Sequence, residues 1–193
     1  MAQMTDIMVD VETTGLDPHL ASIIQLSAIK FNLADRTVGS MFDRCPGPLP
    51  YRRWDDSTRE FWMGKNRKVY VGIIERQEPP IGVFKDFERF CRDGAPEGGF
   101  RFWAKPSKFD WPLVESHMIQ LGGEMPFAHW QSRDLNSYLA GLAASAETPD
   151  YSLDVPFNGD KHNGLHDCAH QIELLFHGLG NRVTAYTQKE PQA

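Results

Sequence analysis

The order of apolar and polar positions predicts three strands at the start of the chain. In residues 5–11, Ile7, Val9 and Val11 alternate with side chains of the opposite face, as in a β-strand. Two further apolar runs, residues 23–33 and 37–42, flank an Ala-Asp-Arg turn and predict a hairpin. The chain therefore opens with strands.

After the strands, the apolar positions follow a helical period. One helix precedes a short aromatic strand at residues 100–104, a second follows it, and a third begins near Asp134. Residues 146–161 are rich in Pro, Asp and Gly and predict a loop before the last helix. The apolar stripes comprise Val83, Phe84, Phe87, Phe90 and Cys91, then Leu113, Val114, His117, Met118 and Leu121, and finally Leu165, Cys168, Ile172, Leu175 and Leu179. This order favours an α/β fold, a mixed central sheet flanked by helices.

Length and composition limit the class of protein. The chain has 193 residues, 41% of them apolar, which predicts one domain over residues 1–183 and a tail over 184–193. No apolar run is long enough to span a membrane, and the first eight residues carry no Lys or Arg, so we expect a cytoplasmic protein with no membrane partner. The three widely spaced cysteines, Cys45, Cys91 and Cys168, predict buried thiols.

The charge balance argues against a broad nucleic-acid-binding surface. The chain contains 20 Lys and Arg residues and 26 Asp and Glu residues, which gives a net charge of −6. A protein of this charge can contact a polynucleotide only locally. Divalent cations held by its own carboxylates would supply positive charge where a phosphate binds.

Asp10 and Glu12 are the first candidate metal ligands. Two residues apart on a strand, they leave the same face, a geometry that suits shared ligation of Mg²⁺ or Mn²⁺. The turn over residues 13–18 follows directly, and Gly15 lets its backbone approach a ligand closely. An isolated Asp-x-Glu pair is more often the solvent end of a strand, so it needs further carboxylates.

Asp110 supplies a carboxylate from a second segment, but it has a rival interpretation. Ser107-x-x-Asp110 before an apolar run is typical of a capping box, and Asp is common in a first helical turn. Pro112 lacks an N–H and is expected within that first turn. Capping and metal binding both remain open for Asp110.

His162 and Asp167 form the third candidate segment. Five residues correspond to about 140° around a helix, so both side chains cannot share a helical face. We expect His162 to precede the helix, as the Asn-Gly at 163–164 also indicates, with Asp167 one turn inside. A zinc-binding stripe of His162, His166 and His170 is the weaker alternative, because no closing ligand has suitable spacing.

The three segments together resemble the DEDD exonucleases of the subclass with a catalytic histidine. The matching residues are Asp10-x-Glu12-Thr13-Thr14-Gly15-Leu16-Asp17-Pro18, Phe109-Asp110 and His162-x-x-x-x-Asp167. That family, which includes ribonuclease T and oligoribonuclease, implies a ribonuclease H-like fold. Within it, the closest resemblance is to exonuclease A of T-even phages and mycobacterial-type exoribonucleases, on Thr58-x-x-Phe61-Trp62, Arg133-Asp134 and Leu165-His166-Asp167-Cys168-Ala169.

The resemblance implies a two-metal 3′→5′ exonuclease that releases 5′-mononucleotides. Asp10 would bridge two Mg²⁺ or Mn²⁺ ions, Glu12 and Asp167 would hold the ion that carries the attacking water, and Asp110 would support the other. His162 would be the general base, a role suited to a side chain that exchanges protons near neutral pH. All five residues are present.

The partner implied is the 3′ end of single-stranded DNA or RNA. By resemblance, Thr13 and its neighbour Gly15 would contact the terminal 3′-hydroxyl and Leu16 would wedge against the last base. Trp62, Trp103 and Phe109 are candidates to stack on bases, with a role in the hydrophobic core as the alternative for each.

The sequence leaves two questions open: whether the substrate is DNA or RNA, and whether the protein forms oligomers. Residues 165–169, which resemble the phage exonuclease, favour DNA slightly over RNA as the substrate. Many members of the family are homodimers, so a homodimer is possible for this chain. A catalytically silent polynucleotide-binding module and a phosphohydrolase of small phosphate esters are the rival functions.

Overall fold

The computed structural model describes residues 3–146 and 155–188. Its strands are β1 (Asp6–Thr13), β2 (Ile23–Asn32), β3 (Thr37–Pro46), β4 (Gln77–Glu78), β5 (Arg101–Ala104) and β6 (Ser132–Asp134). Its helices are α1 (Asp56–Met63), α2 (Arg67–Glu75), α3 (Pro80–Arg92), α4 (Ser107–Gln120), α5 (Leu135–Ala146) and α6 (Gly164–Gln188), with a 3₁₀ turn at His129–Gln131.

The six strands form one mixed sheet in the order β4-β3-β2-β1-β5-β6. β1 lies near the centre, antiparallel to β2 and parallel to β5, while β3 pairs antiparallel with β2 as the predicted hairpin. Every residue of β2 is buried, because helices cover both faces of the sheet. A central strand fixed on both sides is a rigid support for functional side chains.

Two hydrophobic clusters hold the helices against opposite faces of the sheet. The first contains Ile7, Val9 and Val11 of β1 together with residues of α3 and α4. The second joins Met8 of β1 to α5 and α6. Alternation along β1 therefore places its odd-numbered apolar residues on one layer and Met8 on the other.

An ion pair between the buried Asp6 and the half-exposed Arg101 reinforces the junction of β1 and β5. Asp6, which is 0% exposed, accepts hydrogen bonds from the guanidinium of Arg101 at 2.6 Å and from the indole N–H of Trp103 at 2.7 Å. The Thr5 hydroxyl donates a further bond at 2.7 Å. A buried carboxylate satisfied by this many donors is a strong structural constraint.

Most predicted elements are confirmed, and four were not predicted: α1, α2, β4 and β6. The last helix continues to Gln188, beyond the predicted start of the tail at 184, and residues 189–193 lie outside the described part. The domain boundary stays a prediction. Residues 155–161 form no helix or strand, as predicted, while the rest of that loop, residues 147–154, falls outside the description.

The three cysteines are buried and free, as predicted. Among the helices that the structure describes, none has the length and apolar character needed to cross a membrane. The expected cytoplasmic location stays a prediction.

Candidate active site

β1 supplies the first two carboxylates from the same face. Asp10 lies opposite Ser27 of β2 and Glu12 lies opposite Gln25, and the pairing shifts between Glu12 and Thr13. The irregularity ends the regular ladder immediately after the second carboxylate, where the chain turns into the segment containing Gly15.

Asp110 comes from α4 and points back to β1. It is the fourth residue of the helix, is 2% exposed, and its Oδ1 accepts a hydrogen bond from the backbone N–H of Val11 at 3.0 Å. Because Val11 lies between Asp10 and Glu12, this bond fixes Asp110 directly beside both. The side chain therefore faces the carboxylate pair.

The capping box, one of the two interpretations left open for Asp110, does not form, and the predicted position of Pro112 in the first turn is wrong. The N-cap of α4 is Pro106, whose ring offers no acceptor, so Ser107 is already inside the helix. The N–H of Ser107 donates instead to Asp134 Oδ2 at 2.9 Å. Pro112 consequently lies inside the helix, beyond its first turn.

The start of α6 places His162 and Asp167. The helix begins at Gly164, whose N–H donates to Gln25 Oε1 at 3.2 Å, and a Cβ at this position would lie 2.7 Å from Ser27 Oγ. Glycine thus permits a close approach of the helix to the sheet. His162 precedes the helix with a φ of 63°, and Asp167 lies in its first turn, as predicted.

These elements bring all five signature residues to one cavity of about 280 Å³, although the segments are far apart in sequence. Oxygens of Asp10, Glu12 and Asp167 lie within 4.8 Å of one another. The lining consists of Asp10, Val11, Glu12, Lys105, Phe109, Asp110, His162, Asp167, His170 and Gln171.

The carboxylates lack cationic partners and repel one another. Over residues 3–146 and 155–188, none of the four forms an ion pair within 4 Å. Burial raises the pKa of Asp10 well above its ordinary value, and the charges of Asp110 and Asp167 raise it further. Burial also raises the pKa of Glu12, with Asp10 as its strongest charged neighbour.

Burial dominates at the other two carboxylates as well. It raises the pKa of Asp110 to about 8, against the opposing effect of the Val11 N–H. Burial raises the pKa of Asp167, although a hydrogen bond from the His162 backbone and the nearby histidines oppose it. The ionised form is therefore disfavoured at all four carboxyl groups. A bound cation would stabilise these ionised forms.

The donor set fits a hard divalent cation. All four candidate ligands offer carboxylate oxygens, which Mg²⁺ and Mn²⁺ prefer. Asp167 Oδ2 is buried and accepts no hydrogen bond from any residue that the structure describes. A buried acceptor without a donor is accounted for when it binds a metal.

The histidines do not form a zinc site. In the described residues, the cluster suited to a metal consists of Asp10, Glu12 and Asp167. His166 Nδ1 instead accepts a hydrogen bond from the Asp160 backbone N–H at 3.0 Å. The ring of His162 meets that of Phe61 edge to face, 4.8 Å between centroids.

The segment after β1 borders a second cavity of about 490 Å³, lined by Gly15 and Leu16 among others. Leu16 is 70% exposed, whereas Thr13 is buried and its hydroxyl donates to the Gly15 carbonyl at 2.7 Å. Leu16 is therefore free to touch a ligand, and Thr13 orders the turn that carries it.

Stacking of Trp62 or Trp103 on a base is not possible. Both indoles are at most 2% exposed, so no base can reach their faces. Trp62 Nε1 donates to the Thr13 carbonyl at 2.9 Å, which gives Trp62 a structural role beneath the turn that follows β1. Phe109 lies at the carboxylate cavity and keeps its predicted role as a candidate.

Residues 5–177 match the model of a family described as the 3′-5′ exoribonuclease Rv2179c-like domain. The chain belongs to this family. The predicted enzyme class, a 3′→5′ exonuclease, is confirmed at the level of the family. No curated protein matches the sequence. The narrower likeness to the phage enzyme stays a prediction.

Solved structures similar to this member of the family include several nucleases. One is the cell-death related nuclease 4 (CRN-4), with 16% identity and a TM-score of 0.68 over 90% of this chain and 63% of that one. E. coli Exonuclease I in complex with a dA16 oligonucleotide has 15% identity and a TM-score of 0.70, over 96% of this chain and 43% of its own. The nuclease domain of 3′hExo, a DEDDh family member bound to rAMP, has 14% identity and a TM-score of 0.64 over 91% of both chains.

These likenesses confirm the predicted ribonuclease H-like α/β fold. The chain spans less than two thirds of the length of the first two structures.

Sequence reasoning missed two residues of the carboxylate cavity, Lys105 and Gln171, and considered His170 only in the zinc-binding alternative. The spacing of Gln171, four residues after Asp167, places both on one helical face and could have identified it. His170, three residues after Asp167 on the same helix, has a similar signal, whereas Lys105 has none because its approach depends on how the start of α4 packs against the sheet.

Proposed function

We propose that this chain is a metal-dependent 3′→5′ exonuclease of single-stranded nucleic acid that releases 5′-mononucleotides. The observation that carries the proposal is the meeting of Asp10, Glu12, Asp110, Asp167 and His162 at one cavity. Membership in an exoribonuclease-domain family supports the same reaction.

The four carboxylates are the proposed ligands of two Mg²⁺ or Mn²⁺ ions. Oxygens of Asp10 lie within 4.8 Å of those of Glu12 and Asp167, and the charge of Asp110 raises the pKa of Asp10, so Asp10 suits a bridging ligand. Bound cations would neutralise the phosphate and lower the pKa of a coordinated water. The free Oδ2 of Asp167 is a ready ligand atom.

His162 is the proposed general base. It lies outside the helix, and its ring lines the carboxylate cavity next to Asp167. The imidazole accepts the proton of the attacking water as a bond forms between the water oxygen and phosphorus. The bond from phosphorus to the 3′ oxygen of the preceding nucleotide breaks, and that oxygen takes up a proton from solvent. The terminal residue then leaves as a 5′-mononucleotide.

The segment from Thr13 to Leu16 is the proposed binding site for the chain end. Gly15 and Leu16 face a cavity large enough for a nucleoside, and the exposed Leu16 side chain can wedge against a base. Phe109 lies at the carboxylate cavity and is a second candidate contact. A requirement for a free 3′ end follows from these assignments.

RNA is the better-supported substrate. The family is described by its exoribonuclease activity, which supports the RNA alternative over the DNA preference expected from the sequence. Exonuclease I has been solved with a DNA oligonucleotide, so the fold accommodates either sugar. A homodimer stays a prediction.

The test uses matched 5′-labelled RNA and DNA single strands with Mg²⁺ or Mn²⁺. Wild type should shorten RNA from its 3′ end in single-nucleotide steps, whereas Asp10→Ala and His162→Ala should lose activity while still binding the strand. Asp35→Ala, a change at an exposed carboxylate in the β2–β3 turn, is the control and should retain activity. Full activity in Asp10→Ala would sink the proposal.

A further inference from the structure

Helix α6 presents a second polar side chain to the carboxylate cavity. Gln171 lies four residues after Asp167, so the two side chains leave the same face on successive turns. Both line the cavity, and Gln171 is only 5% exposed. A buried amide needs partners for both its nitrogen and its oxygen.

The nitrogen of this amide has a partner in the site. Gln171 Nε2 donates a hydrogen bond to Asp10 Oδ1 at 2.8 Å. Because a carboxylate oxygen can only accept, the amide must turn its nitrogen toward Asp10. One Asp10 oxygen is thereby occupied and oriented, and the other is left for a further interaction.

The oxygen of the amide has no hydrogen-bond partner among the described residues. Gln171 Oε1 is buried and receives no hydrogen bond from any residue within the described ranges. Asp167 Oδ2, on the preceding turn, is in the same condition. Two unsatisfied acceptors on adjacent turns beside one cavity indicate that a ligand with positive charge or N–H and O–H donors belongs there.

The same arrangement recurs at a second carboxylate. Asp110 is held through one oxygen by the Val11 N–H at 3.0 Å, as Asp10 is held by Gln171. Val11 acts through the backbone and cannot be varied by substitution. Gln171 acts through its side chain, so its contribution can be removed.

We propose that Gln171 is a positioning residue of the metal site: its amide N–H orients the Asp10 carboxylate, and its amide oxygen accepts a hydrogen bond from a metal-bound water. This inference rests on the proposed function and assigns a residue to it. Partners that orient metal ligands typically affect metal affinity or activity about 10- to 100-fold.

The experiment measures binding of Mn²⁺ alone by isothermal titration calorimetry, with Gln171→Met. Methionine keeps the length and volume of the side chain but offers neither the donor nor the unsatisfied oxygen. We expect Mn²⁺ affinity to fall by about 10- to 100-fold with little change in the metal-free melting temperature. Activity should recover as Mn²⁺ is raised to saturation, which a structural defect would not allow.

Gln131→Met is the matched control. Gln131 is another buried glutamine, 8% exposed, whose amide bonds the Gly98 carbonyl and the Ala128 N–H far from the carboxylates in sequence. This variant should melt at a lower temperature and bind Mn²⁺ as the wild type does. If Gln171→Met does not fold, Gln171→Asn replaces it, because its amide is one methylene too short to reach Asp10.

Unchanged Mn²⁺ affinity in the Gln171 variant, beside a wild type that binds and cleaves, overturns this inference and leaves the proposed function intact. An affinity loss that appears equally in Gln131→Met also overturns it. A wild type that binds no Mn²⁺ overturns the proposed function together with the inference.

Discussion

Replacing Asp110 with asparagine tests whether the carboxylate cluster destabilises the metal-free protein. Asparagine keeps an oxygen that can accept the Val11 N–H but carries no charge. The pKa of Asp110 is raised from 3.8 to about 8, chiefly by burial. The pKa of Asp110 is thus higher in the folded protein than in the unfolded chain. The free energy of unfolding is therefore highest below about pH 4, where Asp110 is protonated in both states, and it falls as the pH rises to about 8.

The size of the effect follows from the shift. A shift of about four pKa units corresponds to roughly 6 kcal/mol of lost stability above pH 8, at about 1.4 kcal/mol per unit. Relaxation of the site and sharing of protons among the neighbouring carboxylates reduce this value. We expect Asp110→Asn to be more stable than wild type by roughly 2–3 kcal/mol, a melting temperature higher by about 5–10 °C for a chain of this size.

The assay is thermal unfolding in a chelator at pH 8 and at pH 5.5, where the advantage of the variant should shrink. Excess Mg²⁺ should reverse the order, since only the wild type keeps all four ligands and gains stability from binding. Asp43→Asn is the control of opposite sign, because Arg76, Gln25 and Ser27 bond the Asp43 carboxylate and lower its pKa. Lower stability of Asp110→Asn than wild type at pH 8 without metal would refute the reasoning.

Three further predictions concern two buried polar residues, His117 and Asp6, and the close contact between the start of α6 and β2. Burial lowers the pKa of His117 to about 3, so the free energy of unfolding of the wild type should fall by up to about 1.4 kcal/mol per pH unit below about pH 6.5. Urea unfolding at several pH values should show that this dependence on pH is weaker in His117→Leu. Asp6→Ala should lower the free energy of unfolding by about 1–3 kcal/mol, because the buried Trp103 indole N–H loses its acceptor and the half-exposed Arg101 loses its ion-pair partner; an unchanged free energy of unfolding would contradict this. Gly164→Ala should reduce kcat/KM by about 100-fold, because the new Cβ meets Ser27 Oγ and shifts the start of α6; unchanged kcat/KM would show that the site tolerates the shift.

Periodic and long elements could be predicted from the sequence. β1, β2 and β3 have clear alternation or apolar runs, and α3 and α6 have clear apolar stripes. β4 and β6 comprise two and three residues, and their extended form depends on pairing with β3 and β5. A period cannot be recognised over so few residues.

The candidate site was predictable as a set of residues, and its geometry was not. The offset of five residues correctly placed His162 outside the helix, because helical geometry alone excludes a shared face. The capping box considered for Ser107 and Asp110 does not form, because Asp134, 27 residues further along the chain, accepts the hydrogen bond from the Ser107 N–H. Trp62 was wrong as a stacking residue because burial depends on the packing of α1, which the local pattern did not reveal.

The most direct test of the central claim compares one 5′-labelled RNA oligomer with a free 3′-hydroxyl and the same oligomer with a blocked 3′ end. With Mg²⁺ or Mn²⁺, the account predicts a ladder of products shortened one nucleotide at a time from the free end, with 5′-mononucleotides released and the blocked strand intact. Internal cleavage of the blocked strand, or hydrolysis confined to small phosphate esters, would contradict it.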